Sequence, residues 1–201
     1  MYITCLDVEG VLVSEIWIAF AEASGIPELK KTTRDEPDYD KLMKWRLGVL
    51  KEHGLGLKEI QDVIRTIDPL PGAKEFLDEL RSFTQVILIS DTFTQFASPL
   101  MEKLGWPTLF CNSLEVAENG EITGFQMRVE QSKLTTVKAL QSIGFDTIAS
   151  GDSYNDLGMI QASKAGFLFR STDKIKADYP DIPAYETYEE LLSAIRKAMV
   201  D

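Results

Sequence analysis

Histidine is nearly absent from this chain: His53 is the only one in 201 residues, and cysteine occurs twice, as Cys5 and Cys111. A single histidine excludes a His-rich zinc site, and a Ser-His-Asp triad would have to be built on that one residue. Its setting, Lys51-Glu52-His53-Gly54, is that of a helix C-terminus, where a glycine follows and a cation suits the helix dipole, so a capping role is expected. The cysteines stand in strand-like apolar stretches with no metal-knuckle or disulfide-framework spacing, and are expected to be small buried thiols. No apolar run is long enough to span a bilayer, and no basic segment, apolar stretch and cleavage site open the chain. A reducing cytoplasm is the expected location. Cations are also scarce: 21 Lys and Arg against 32 Asp and Glu give a formal charge of −11. That balance argues against nucleic acid or an anionic membrane held on a broad basic face, while a small anionic substrate held by a few local cations stays open.

Chemistry run by carboxylates, lysine and metal remains, and the carboxylates are conspicuous. The opening apolar run Tyr2-Ile3-Thr4-Cys5-Leu6 leads straight into Asp7-Val8-Glu9-Gly10. Residues two apart on a strand face the same side, so two like charges crowd one spot where burial penalises them, and a cation is expected beside them. Two further apolar runs end alike: Gln85–Ile89 runs into Ser90-Asp91-Thr92, and Asp146–Ser150 into Gly151-Asp152-Ser153-Tyr154-Asn155-Asp156. In open parallel sheets ligands bind outside the carboxyl ends of the strands, so Asp7, Glu9, Asp91, Asp152 and Asp156 are expected to converge on one crevice. A few carboxylate oxygens are what Mg2+ needs.

The length suits one substantial core, or a core with a small satellite. Helix signals cover 15–24, 39–52 and 57–66, separated by Gly25-Ile26-Pro27, a polar run over 32–38, and Gly54-Leu55-Gly56, with no strand among them. After Asp68-Pro69-Leu70-Pro71-Gly72 the pattern alternates: helix 73–83, strand 85–89, helix 94–104, strand 108–111. A hairpin of 113–116 and 122–127 about the turn 117–120 follows, then helix 133–143, strand 147–150, helix 155–163, strand 166–169 and helix 188–199. This predicts an α/β fold: a Rossmann-like parallel sheet core flanked by helices, with a small β-hairpin and a helical cap inserted after the first strand. The expected division is a core of 1–13 and 71–201 and a cap of 14–70.

Four motifs in order carry a family resemblance: Asp7-x-Glu9-Gly10 after the first strand, Ser90-Asp91-Thr92 after the second, Lys133 opening a helix, and Gly151-Asp152-x-x-x-Asp156 after a later strand. The set resembles the haloacid dehalogenase-like phosphatases, and the insert position resembles the helical-cap subgroup that contains phosphoserine phosphatase. The resemblance implies that Asp7 is the nucleophile forming an aspartyl-phosphate, and that Glu9 protonates the leaving alkoxide and later deprotonates the incoming oxygen. It implies Mg2+ held by Asp7, Asp152 and the backbone carbonyl of Glu9, with Asp156 near that shell. Ser90 and the N–H groups at Asp91 and Thr92 would bind phosphate at a helix N-terminus, although for Thr92 a plain N-cap is the preferred reading. Lys133 would neutralise the transferring phosphoryl group and Asn155 would orient it. Taken alone, a lysine in a first helical turn is a solvated surface residue. In the cap, Glu15 would receive a substrate ammonium and Arg46 would clamp its carboxylate, where charged residues on amphipathic helices otherwise form a wet face.

Three departures from the family pattern narrow the assignment. The second acid is Glu9 rather than aspartate, Val11 replaces a hydroxyl residue, and the second motif is Ser-Asp-Thr rather than Ser-Gly-Gly. The Asp-x-Glu-Gly variant with Glu15, Arg46 and Ser90-Asp91-Thr92 resembles the phosphoserine phosphatase/phosphoserine:homoserine phosphotransferase family. That implies phosphoserine as donor and water or homoserine as acceptor. Two alternatives stand beside it: a capped phosphatase for another phosphomonoester such as a sugar phosphate or nucleotide, and a degenerate phosphoamino-acid-binding protein. A homodimer is the base-rate expectation for a soluble enzyme.

Overall fold

The computed structural model describes residues 1–32, 35–36 and 38–200, so that Thr33, Arg34 and Pro37, in the polar run expected at 32–38, lie outside the described residues. Among the described residues seven strands, β1 (Tyr2–Leu6), β2 (Gln85–Phe93), β3 (Leu109–Val116), β4 (Ile122–Gln126), β5 (Asp146–Gly151), β6 (Ala165–Phe169) and β7 (Ala184–Tyr185), form one sheet. Their order is β4-β3-β2-β1-β5-β6-β7. All neighbours are parallel except β3 and β4, which form the expected antiparallel hairpin. β1 lies between β2 and β5, with Leu6 opposite Leu88 on one side and Ser150 on the other. The chain therefore leaves β1 first to one side and later to the other, and such a switch opens a crevice at the carboxyl ends of the strands.

Alternation along the strands feeds two cores. Leu6, Leu88, Ile148 and Phe167 pack with α4 (Ala73–Arg81), α5 (Thr94–Lys103) and α9 (Tyr188–Ala198). Cys5, Ile87, Ile89 and Ala149 pack on the other side with α6 (Ser132–Ser142), α7 (Leu157–Ala162) and α8 (Asp173–Asp178). A sheet covered by helices on both faces explains why its central strands are apolar throughout rather than alternating with polar residues. Both cysteines are buried, as expected, and burial pushes the Cys5 thiol up to about 12.

Between β1 and α4 come α1 (Ile16–Ser24), a 3-10 turn over Pro27–Lys30, α2 (Tyr39–Glu52) and α3 (Leu57–Ile64). Their apolar residues Ile16, Phe20, Met43, Leu50, Ile60 and Ile64 join the same cluster as Phe93 and Phe96 of the sheet side. The two ends of this segment are pinned together where the Leu70 N–H donates to the Leu12 carbonyl at 2.9 Å, and α3 is tied to the hairpin turn by the Leu57 N–H to the Gly120 carbonyl at 2.8 Å. His53 caps α2, followed by Gly54 at φ +66°, as the sequence implies.

The strand following α4 departs from expectation: β2 continues past Ile89 through Ser90, Asp91 and Thr92 to Phe93. Ser90 and Thr92 are buried, the register with β3 shifts between Ile89 and Phe93, and Phe93 rather than Thr92 precedes α5. The expected Thr92 cap is thus replaced by an extended strand end. The separate strands expected over 108–111 and 113–116 are one strand, β3. The helix expected from 155 begins as a 3-10 turn, Tyr154–Asp156, before α7.

Candidate active site

Four of the expected residues, Asp7, Asp152, Asp156 and Lys133, meet at the carboxyl ends of β1 and β5 and the start of α6. Asp7, at the end of β1, donates its backbone N–H to the Ser150 carbonyl at 3.1 Å, which fixes the two strand ends side by side. Its Oδ1 accepts the Val8 N–H at 2.8 Å, and its Oδ2 lies 3.0 Å from Lys133 Nζ. The ammonium of Lys133 also reaches Asp156 Oδ1 at 2.5 Å. Asp156 is fully buried and its Oδ2 accepts the N–H groups of Asp152 and Ser153, each at 3.0 Å, and the Ser153 hydroxyl at 3.1 Å. It therefore shapes the turn that carries Asp152 while holding Lys133. Asp7, Asp152 and Asp156 each offer an oxygen within 4.8 Å of the others.

Glycines make this density possible. A Cβ on Gly10, which sits at φ +78°, would lie 2.3 Å from Asp152 Oδ2, and one on Gly151 would lie 2.2 Å from Asp156 Cγ. Only a residue without a side chain lets these carboxylates approach the backbone so closely.

The charges are mutually adverse. Burial first, and then Asp156, raise the Asp7 carboxyl well above the usual carboxylate range, against the pull of Lys133. Burial and Asp156 push Asp152 up to about 6. Burial works against the Lys133 charge, but Asp7, Asp156 and Asp91 outweigh it and hold its pKa above the ordinary lysine value. Among the described residues, Lys133 thus pairs with Asp7 and Asp156, while the half-buried Asp152 adds a third carboxylate beside them. Hard oxygen donors on adjacent strand ends with surplus negative charge fit a divalent cation such as Mg2+.

Glu9 is set apart from that cluster. Its Oε1 accepts the Ile16 N–H at 2.6 Å at the start of α1, and burial pushes its carboxyl up to about 7. A carboxyl near neutrality can both give and take a proton. Glu15 immediately precedes α1, is exposed, and makes no side-chain capping bond. It is close enough to raise the pKa values of Glu9, Asp152 and Arg46.

Arg46, expected on an amphipathic helix face, is buried on α2. Its guanidinium lies 4.4 Å over the Trp17 ring, and Nη2 donates to the Lys31 carbonyl at 2.8 Å. Nε finds no acceptor among the described residues. Burial brings its pKa down to about 10, with Tyr39, Glu9 and Glu15 opposing. A buried guanidinium whose Nε lacks an acceptor among the described residues is suited to an incoming carboxylate.

Motif two is built differently from the expectation of an anion site at a helix N-terminus. The Ser90 hydroxyl accepts the Thr92 N–H at 3.2 Å, and the Asp91 carboxylate bonds the Ser132 hydroxyl at 3.1 Å and Asn155 Nδ2 at 3.0 Å. A cavity of about 300 Å³ is lined by Asp91, Ser132, Lys133 and Asn155 among others. Two aromatic residues went unanticipated. Tyr39 donates its hydroxyl to the Asp91 carbonyl at 3.3 Å and acts electrostatically on Arg46, while Trp17 carries the guanidinium. Tyr39 stands two helical turns before Arg46, a spacing that puts both on one helix face and was readable in advance.

Residues 5–164 match the family model of the haloacid dehalogenase-like hydrolases, and the chain belongs to that family. Phosphoserine phosphatase ThrH of Pseudomonas aeruginosa is 52% identical over 198 residues, covering 98% of this chain and 97% of that protein. A phosphoserine phosphatase of Pseudomonas syringae pv. tomato is 50% identical over 98% of this chain and 83% of its own length. Among solved structures, a substrate-bound phosphoserine phosphatase complex superposes with a TM-score of 0.77 at 23% identity over 96% of this chain and 97% of that one. A phospho-aspartyl intermediate analogue of phosphoserine phosphatase gives 0.76 at 24% identity over the same shares. At such identities the likeness concerns the fold.

Proposed function

We propose that this chain is a Mg2+-dependent phosphoserine phosphatase that works through an aspartyl-phosphate on Asp7 and also passes the phosphoryl group to homoserine. The observation that carries the proposal is the Asp7–Lys133–Asp156 constellation beside Asp152, with Arg46 and Glu15 acting on the same space. The names of the two half-identical relatives support phosphoserine as donor. Mg2+, held by Asp7, Asp152 and the backbone carbonyl of Glu9, would neutralise phosphoryl oxygens that face the carboxylates.

An Asp7 carboxylate oxygen forms the bond to phosphorus as the seryl oxygen leaves, and Glu9 gives that oxygen its proton. Lys133 offsets the charge on the equatorial oxygens. Glu9, now ionised, takes the proton of water or of the homoserine hydroxyl, whose oxygen attacks phosphorus and releases Asp7. Arg46 and Glu15 recognise the carboxylate and ammonium shared by serine and homoserine, so one pocket serves both amino acids. Residues 14–70 act as the cap that excludes bulk water during the first step.

Incubating the protein with phosphoserine and Mg2+ tests this directly. Phosphate release that falls while O-phosphohomoserine accumulates on adding homoserine is the expected result, with Asp7→Asn inactive in both. No turnover of phosphoserine alongside turnover of a sugar phosphate or nucleotide sinks the donor assignment. Phosphate release unaffected by homoserine, with no O-phosphohomoserine formed, sinks the transfer.

A further inference from the structure

We propose that the Asp91 side chain is a positioning residue that locks the Lys133 helix and the Asp152–Asp156 turn onto the end of β2. The inference rests on the phosphoryl-transfer chemistry proposed above, but not on the identity of the phosphate ester. A carboxylate here is unexpected, because it adds like charge where a phosphoryl group must bind.

The surroundings show where that charge is spent. Oδ1 accepts from the Ser132 hydroxyl and Oδ2 from Asn155 Nδ2, so each oxygen has a donor from a different segment. Ser132 is the first residue of α6 and directly precedes Lys133, and Asn155 directly precedes Asp156. The Asp91 carbonyl holds two more groups, Asn112 Nδ2 of β3 at 2.9 Å and the Tyr39 hydroxyl of α2. Four separate segments meet on one residue. A carboxylate accepts from both partners as they stand, whereas an amide would offer one accepting oxygen and keep the Ser132 contact only by donating to a reversed hydroxyl.

Backbone strain points the same way. Gln131, next to Ser132, is one of three non-glycine residues at positive φ among the described residues, at +45°. Such a conformation persists where neighbouring bonds over-determine it. The Asp91–Ser132 bond lies one residue away and fixes the helix start. Lys133 thereby keeps its short contacts to Asp7 and Asp156. On its other side the Asn155 amide oxygen contacts the Ser153 hydroxyl, which ties it to the same turn.

The test uses p-nitrophenyl phosphate with Mg2+, Asp91→Ala, Asp91→Asn, Ser132→Ala and the double variant Asp91→Ala/Ser132→Ala. Misplacing Lys133 and the Asp152 turn by a fraction of an ångström is expected to lower kcat on the order of 10- to 100-fold with little change in KM. Asp91→Asn should fall between wild type and Asp91→Ala, and the double variant should lose no more than Asp91→Ala alone. Calorimetric binding of inorganic phosphate with Mg2+ should show the same non-additivity, which reads the coupling without turnover. A raised KM at unchanged kcat overturns the proposal in favour of direct substrate contact. Additive losses, or losses that track a fall in melting temperature, overturn it in favour of a general structural role. If the wild type hydrolyses p-nitrophenyl phosphate but not phosphoserine, the substrate assignment fails and the Asp91 proposal is still decided.

Discussion

Gly10 is where the acidic cluster leaves least room. Its φ of +78° lies in the left-handed region, and an added Cβ would fall 2.3 Å from Asp152 Oδ2. Gly10→Ala must therefore strain the backbone and push Asp152 away from Asp7 at the same time. The expected outcome is a loss of phosphatase activity of roughly tenfold or more, following the sensitivity of catalysis to small displacements. A titration with Mg2+ should also need more metal to reach half-maximal rate. Unchanged metal response would mean that Asp152 does not face a metal. Asp7, Lys133, Asp152 and Asp156 were legible in the sequence because each sits in a short motif at an element boundary, and the fold brings these four together. The Trp17 support of Arg46, the Tyr39 hydroxyl and the two bonds of the Asp91 side chain were not. They join residues far apart in sequence, and neither a motif nor a period encodes such meetings.

Helices with a strong apolar stripe and an explicit cap were the easiest elements to place. α9 begins with a capping box: the Thr187 hydroxyl accepts the Glu190 N–H at 3.3 Å, and Glu190 Oε2 accepts the Thr187 N–H at 3.1 Å. Its Leu191, Leu192 and Ile195 then pack into the core beneath the sheet. Thr187→Ala removes one half of the box and should cost about 1 kcal/mol, since exposed backbone donors at a helix start lose their acceptor. For a chain of this size that corresponds to a fall of roughly 2–4 °C in melting temperature, measurable by circular dichroism, with activity unchanged. A shift below 1 °C would show that water serves that helix end equally well. The end of β2 was misjudged for the opposite reason. Ser90-Asp91-Thr92 has the composition of a turn, yet Ser90 and Thr92 are buried and the segment stays extended beside β3. Tertiary bonds to Ser132, Asn155 and Asn112 outweigh local preference there. Short pieces such as α8 and β7 lack the length for any period to register.

At the scale of the whole molecule, the formal charge of −11 and the acidic site make opposite demands on a metal experiment. Any salt screens the general repulsion among surface carboxylates and stabilises the fold somewhat. A specific cation does more, because Asp7, Asp152 and Asp156 are gathered only in the folded chain and have one ammonium, Lys133, among them. Binding confined to the native state stabilises it by about 2.7 kcal/mol at one hundred times the dissociation constant. For 201 residues this is a rise of roughly 5–10 °C in melting temperature. Mg2+ at that excess is therefore expected to raise the midpoint by this amount over NaCl of equal ionic strength, and EDTA to reverse it. Asp152→Asn should lose most of the increment, since it removes a charge and an oxygen ligand while keeping the size of the side chain. If Mg2+ and matched NaCl shift the midpoint equally, the cluster binds no divalent ion, and the surplus charge is instead relieved by protons on Asp7 and Asp152, whose carboxyls burial already holds above their usual range.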